Sequence, residues 1–251
     1  MISYDIFLLL NSDNKFAEES IKSLKEAKIN SNINKYISTT EYYSKDLLVR
    51  KDLKNIKIIV HKNKYRSTWD HMIWLTNYSK ADYLSFIHDD DFFSDNFFLN
   101  TYKNLEKYLP SAFSTRANYV NEDSLIFKYR QFKSLNKINL IKSIEVLQRC
   151  FLPFDRPISL PTVAFRKKEL ENYWFKYRIR NLSIFEDVRI TYFFSKYGLF
   201  MESQNANLFS YRINRFQTAS IRKQIPRLRL IIWLNSLNIK ITKKLILMLF
   251  A

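Results

Sequence analysis

Tyr83-Leu84-Ser85-Phe86-Ile87-His88-Asp89-Asp90-Asp91-Phe92-Phe93 is a short apolar run that stops at three consecutive carboxylates. A run of this length bounded by polar residues reads as a buried strand over 83–87. In an open α/β sheet, ligands bind just outside the carboxyl ends of the strands, which is where the triplet falls. Adjacent like charges repel, so such a cluster is either solvated or offset by a cation. Oxygen ligands at a strand end suit Mg²⁺ or Mn²⁺, ions that usually accompany a phosphate-bearing substrate. An acidic turn capping the next helix is the plain alternative.

On the amino-terminal side, residues 4–10 read as a first buried strand. A helix follows, with Ala17, Ile21, Leu24 and Lys28 on one side and Ser12 or Asp13 near its cap. Residues 35–39 form a weak second strand and 56–61 a clearer third. Residues 69–78 have helical spacing, with Ser67 or Thr68 as cap. Past the triplet, 94–109 is an amphipathic helix ended by Pro110. This alternation predicts βαβ units and a mainly parallel, Rossmann-type α/β sheet flanked by helices. The pattern loosens after residue 110. Strands are expected near 112–115, 124–127, 162–165 and 208–213, and helices at 140–151 and 187–196. Gly198 follows the last of these helices and fits a left-handed cap.

The whole composition narrows the classes. A chain of 251 residues, 47% hydrophobic and 26% charged, can bury a full core. One glycine excludes G-x-G-x-x-G and Walker A loops, so nucleotide binding needs another device. One cysteine, Cys150, excludes an internal disulfide and a Cys-based zinc site and fits a reducing compartment. His61, His71 and His88 lack the spacing of a zinc site. A net charge of +17 implies an anionic partner: nucleic acid, a membrane surface or a phosphorylated substrate. The start of the chain lacks the basic region of a secretory signal, and no stretch reaches transmembrane length, so a cytoplasmic protein is expected.

Residues 221–251 change character. They carry Arg222, Lys223, Arg227, Arg229, Lys240, Lys243 and Lys244 but no Asp or Glu, interleaved with Leu228, Trp233 and a run of Leu and Ile. A basic amphipathic tail of this kind suits peripheral binding to an anionic inner-membrane surface. A helix packed on the main domain is the alternative.

Three features, in this order and spacing, resemble the family 2 glycosyltransferases of the GT-A fold. The first is the strand ending in Asp89-Asp90-Asp91, where Asp89 and Asp91 take the places of the family's Asp-x-Asp element. The second is Phe185-Glu186-Asp187-Val188 at a predicted helix start, which looks like the family's Glu-Asp pair. The third is the late segment Tyr211-Arg212-Ile213-Asn214-Arg215-Phe216-Gln217-Thr218-Ala219-Ser220. The resemblance covers about residues 4–220, with 1–110 as the nucleotide-sugar half and 111–220 as the acceptor half. Departures are visible. Many members carry a His in the late segment, where Asn214 stands here. Polymerising members have Gln-x-x-Arg-Trp, whereas this chain has Gln217-Thr218-Ala219-Ser220-Ile221, which implies transfer of one sugar per acceptor.

What the resemblance implies is specific. The donor is a nucleotide diphosphate sugar, with UDP favoured by family habit. Asp89 and Asp90 lie at the donor, and Asp91 with Asp89 holds Mn²⁺ or Mg²⁺ on the diphosphate. Arg66, Arg212 and Arg215 are candidates to offset phosphate charge, with surface placement as the alternative. Glu41 is the acidic residue expected near the uracil, or else a solvated loop residue. Asp187 is the catalytic base. An aspartate carboxylate is ionised near neutral pH and needs no special tuning for that task. A single displacement inverts the anomeric centre. Because side chains alternate along a strand, His88 and Asp89 are expected to point apart, leaving His88 structural or stacked on the base. The acceptor is a glycan or a lipid-linked saccharide in bacterial surface-glycan synthesis (capsule or lipopolysaccharide). Two other classes compete: a metal-dependent nucleotidyltransferase and a nucleic-acid-binding module. Against the second, the basic residues are dispersed, and nucleic acid is not the expected partner.

Overall fold

The computed structural model describes residues 1–10, 15–62, 67–127, 135–151, 158–177 and 186–213. Strands β1 (Tyr4–Leu10), β2 (Ile33–Thr40), β3 (Lys57–His61) and β4 (Tyr83–His88) pair in parallel in the order β3-β2-β1-β4. The remaining strands are β5 (Phe92–Phe93), β6 (Ala112–Thr115), β7 (Asn118–Val120), β8 (Ile138–Leu140), β9 (Val163–Arg166), β10 (Phe200–Ser203) and β11 (Phe209–Arg212). The large sheet continues as β4-β9-β6-β10-β8. β9 runs against both of its neighbours, and β8 runs against β10. β6 and β10 are parallel to each other. A small sheet, β5-β11-β7, stands beside the acidic triplet.

The segment Tyr-Asp-Ile-Phe-Leu-Leu-Leu of β1 is buried throughout because helices cover both faces of the sheet. Alternation sorts its side chains. Ile6, Leu8 and Leu10 meet Ile21 and Leu24 of α1 (Ala17–Glu26) and Phe98 and Leu105 of α4 (Phe97–Tyr108) in one core. Phe7 and Leu9 share the opposite core with Met72 and Leu75 of α3 (Thr68–Tyr78). That core also takes residues from α5 (Ser143–Phe151), α6 (Lys167–Lys176) and α7 (Glu186–Tyr197). Each fully buried Leu, Ile or Phe contributes about 1.5–3 kcal/mol.

Helix starts follow local chemistry. Ser67 caps α3: its hydroxyl oxygen accepts from the Asp70 N–H at 3.2 Å and donates to the Asp70 carboxylate at 2.8 Å. α1 begins instead after Phe16, with no side-chain cap; Glu18 and Glu19 in its first turn complement the helix dipole. Ser12 and Asp13, expected near the cap, lie outside the described residues, and Lys28 lies past the end of the helix. α4 closes on Leu109 in the left-handed region (φ 47°, ψ 47°), just before Pro110.

Several expectations are corrected. Residues 124–127 form no strand, because Asn121 accepts from the N–H groups of Asp123 and Leu125 and folds the chain into a turn with Ser124 at φ 61°. β7 precedes that turn, and only a single bridge joins Val120 to Ile126. The helix expected from residue 140 begins at Ser143, since 138–140 pair with β10. Gly198 is not in the left-handed region. Its lack of a side chain serves close approach: a Cβ there would lie 2.4 Å from Ser111 Oγ and 2.6 Å from Ser111 Cβ. Residues 214–251, including the basic tail, lie outside the described residues. Among the described residues, no helix is long and apolar enough to cross a membrane.

Candidate functional site

The carboxyl ends of β1, β2, β3 and β4 lie along one edge of the sheet, since all four run the same way in register. At that edge β4 ends on His88, and the chain turns through Asp89 and Asp90. The Asp91 N–H comes back toward the His88 carbonyl at 3.4 Å. Strand alternation separates His88 from Asp89, and the turn gathers His88 with the two later aspartates. Ligand atoms of His88, Asp90 and Asp91 lie within 4.8 Å of one another. Asp89 is not a member of this group and stands half-buried beside it.

Asp91 is wholly enclosed. Its carbonyl accepts from Ser20 Oγ of α1, and its Oδ1 accepts from the Arg212 N–H at 3.0 Å. Burial pushes its carboxyl well above the usual carboxylate range, and Asp90 adds to this; the Arg212 N–H opposes it. Its other oxygen, Oδ2, is buried with no hydrogen-bond partner among the described residues, and so is Nε2 of His88. Two lone-pair atoms buried in this way, beside a third ligand atom from Asp90, fit a bound cation. Filling the orphaned positions would remove a desolvation cost of about 1–3 kcal/mol for each group.

The late segment reaches this turn through the small sheet. β11 pairs with β5 directly after Asp91 and with β7 on its other side. Arg212 was expected to offset donor phosphate, but it is enclosed and its bonds are internal. Nε donates to the Asp90 carbonyl at 2.9 Å. One terminal nitrogen donates to the Asn121 and Glu122 carbonyls and to Ser124 Oγ at 3.1–3.2 Å. The other binds Glu19 of α1. Its plane also lies over Phe16, 4.1 Å from the ring centroid. Arg212 thus clamps the acidic turn from beneath, a role that the sequence does not announce because its partners come from residues 19, 90 and 121–124.

Asp187 occupies the first turn of α7, half-buried, with Oδ1 accepting from the Val188 N–H at 2.9 Å. Its neighbour Glu186 is fully buried, bound by the Tyr173 hydroxyl and paired with Arg189 at 3.1 Å. That pairing fixes the start of α7 against α6. Burial holds the Tyr211 hydroxyl well above the usual phenol range, and the charges of Asp91, Tyr119, Asp90 and Asp187 add to the effect. The structure brings Asp90, Asp91 and the start of the late segment together. Glu41 is exposed at the start of α2 (Glu41–Leu48), directly after β2 on the same sheet edge. Arg66 and Arg215 lie outside the described residues.

Sequence reasoning missed Glu19 and Ser20 as parts of this neighbourhood and did not join His88 to Asp90 and Asp91.

No family model matches the chain, and no curated protein matches it in sequence. Its fold is that of the S. aureus protein TarS. The TarS 1-349 crystal structure matches with a TM-score of 0.63 at 11% identity, covering 84% of this chain and 60% of that one. The same protein in complex with UDP-GlcNAc matches at 0.61 and 10% identity over 87% and 61%. Its complex with UDP matches at 0.62 and 10% identity over 85% and 61%. The chain thus spans less than two thirds of the length of these structures. The match is to a fold, a large α/β sheet with helices on both faces, which TarS also uses.

Proposed function

We propose that this protein is a metal-dependent, inverting glycosyltransferase of the GT-A type. It moves one sugar from a nucleotide diphosphate sugar, UDP-linked by preference, to a hydroxyl of a glycan or lipid-linked acceptor. The observation that carries this reading is the carboxylate turn at the end of β4, with orphaned lone pairs, in a fold that TarS uses while holding UDP-GlcNAc. A divalent cation held by Asp90 and Asp91 would offset charge building on the departing diphosphate.

The chain's own residues would do the rest. Asp187, on the neighbouring helix start, takes the proton from the acceptor hydroxyl as that oxygen attacks the anomeric carbon. Asp89 and Glu41, on the same sheet edge, contact the donor's nucleoside. Arg66 and Arg215 would approach the phosphates. Arg212 and Ser20 hold the acidic turn so that its carboxylates face the donor. The tail, rich in Lys and Arg, would bring the enzyme to an anionic membrane surface where a lipid-linked acceptor resides.

A thermal-shift panel of nucleotide sugars with and without Mn²⁺ tests this reading. One nucleotide diphosphate sugar should raise the melting temperature by about 5 °C or more at saturation, only with the metal present. The shift should vanish in Asp90→Asn. Stabilisation by none of the common nucleotide sugars would overturn the reading, and release of pyrophosphate during turnover would point to nucleotidyl transfer instead.

A further inference from the structure

We infer that His88 is a nitrogen ligand of the cation, so that the site selects a transition ion such as Mn²⁺ over Mg²⁺. The inference rests on the metal-dependent reading above and extends it to a residue outside the acidic triplet. Three observations carry it. His88 is the last residue of β4, and the turn after it brings its ring to within 4.8 Å of the Asp90 and Asp91 ligand atoms. Its Nε2 is buried and has no hydrogen-bond partner among the described residues, an expensive arrangement for a ring nitrogen with nothing to bind. Asp91, wholly buried, presents a second orphaned atom to the same group.

The other two histidines stand at a different place, around Ser38. His61 and His71 both bond Ser38 Oγ through Nε2 at 2.7 Å. With three His in the whole chain, any imidazole on the metal has a single candidate source. The donor set then becomes one imidazole and two carboxylates. Mg²⁺ is a hard ion that prefers oxygen and keeps its waters, whereas imidazole nitrogen favours first-row transition ions.

Pulsed electron paramagnetic resonance on the full chain loaded with Mn²⁺ alone reads this directly. The inference expects modulation from a coordinated imidazole ¹⁴N in the wild type and its loss in His88→Gln. Mn²⁺ affinity by titration calorimetry should weaken by about tenfold or more in that variant, while Mg²⁺ affinity changes little. Circular dichroism checks that the variant is folded. The wild-type spectrum decides the matter even if it is not. Bound Mn²⁺ with no imidazole nitrogen coupling would overturn the inference and leave the glycosyltransferase reading standing. Absence of Mn²⁺ binding at the acidic turn would overturn both.

Discussion

At the scale of single residues, the role proposed for Asp187 and the bonds of Arg212 separate chemistry from architecture. Asp187 stands half-buried at a helix start whose anchoring falls to Glu186, through Tyr173 and Arg189. Asp187→Asn should leave the fold and donor affinity intact while turnover falls by about 10²–10⁴-fold, the usual worth of a positioned base. Equilibrium binding of UDP-sugar beside single-turnover transfer measures both. Arg212 predicts the opposite pattern. Removing its guanidinium in Arg212→Ala strips partners from Glu19, the Asp90, Asn121 and Glu122 carbonyls and Ser124. Loss of a charged hydrogen-bond hub of this kind costs about 3–5 kcal/mol. Urea denaturation should show it without any ligand present.

At the scale of elements, strands were readable where burial on both faces produced unbroken apolar runs, as in β1 and β4. Helices were readable where a cap and a stripe coincided, as at Ser67. What escaped was set by distant partners. The β8 and β10 pairing involves short segments with no strong pattern of their own, and α2 and α6 begin directly after strands without a cap signal. The site divides in the same way: the triplet and the Glu186-Asp187 pair stand out in one dimension, but the inward turn of His88 and the clamp by Arg212 exist only in three. The seam between β2, β3 and α3 makes its own prediction. Burial depresses His71 from 6.5 to about 3, so that ring stays neutral in the fold, and burial lowers His61 as well. The unfolded chain takes up a proton below pH 6.5 and the folded chain does not. Stability from His71 is thus complete above that value and drains away as pH falls toward 3, at up to about 1.4 kcal/mol per pH unit. Urea midpoints at pH 7, 6 and 5 should show this decline, and His71→Gln should flatten it.

For the molecule as a whole, one strand decides whether the halves can exist apart. β9, from residues 163–166, lies between β4 of the first half and β6 of the second, against both. A fragment of residues 1–110 would end its sheet on β4, whose Tyr83, Leu84, Phe86 and Ile87 are buried in the full chain. A bare apolar edge of this kind templates strand addition between chains. The fragment should accordingly elute as aggregate in size-exclusion chromatography rather than as a folded monomer.

The position of β9 also orders events at the ribosome. More than half the polypeptide must emerge before the filler strand exists, so the first half waits, incomplete, for a piece made much later. Closing so distant a pairing is slow. Chaperone capture during that interval is the natural safeguard, and synonymous codon changes that lengthen it would lower the yield of working protein without altering a single amino acid.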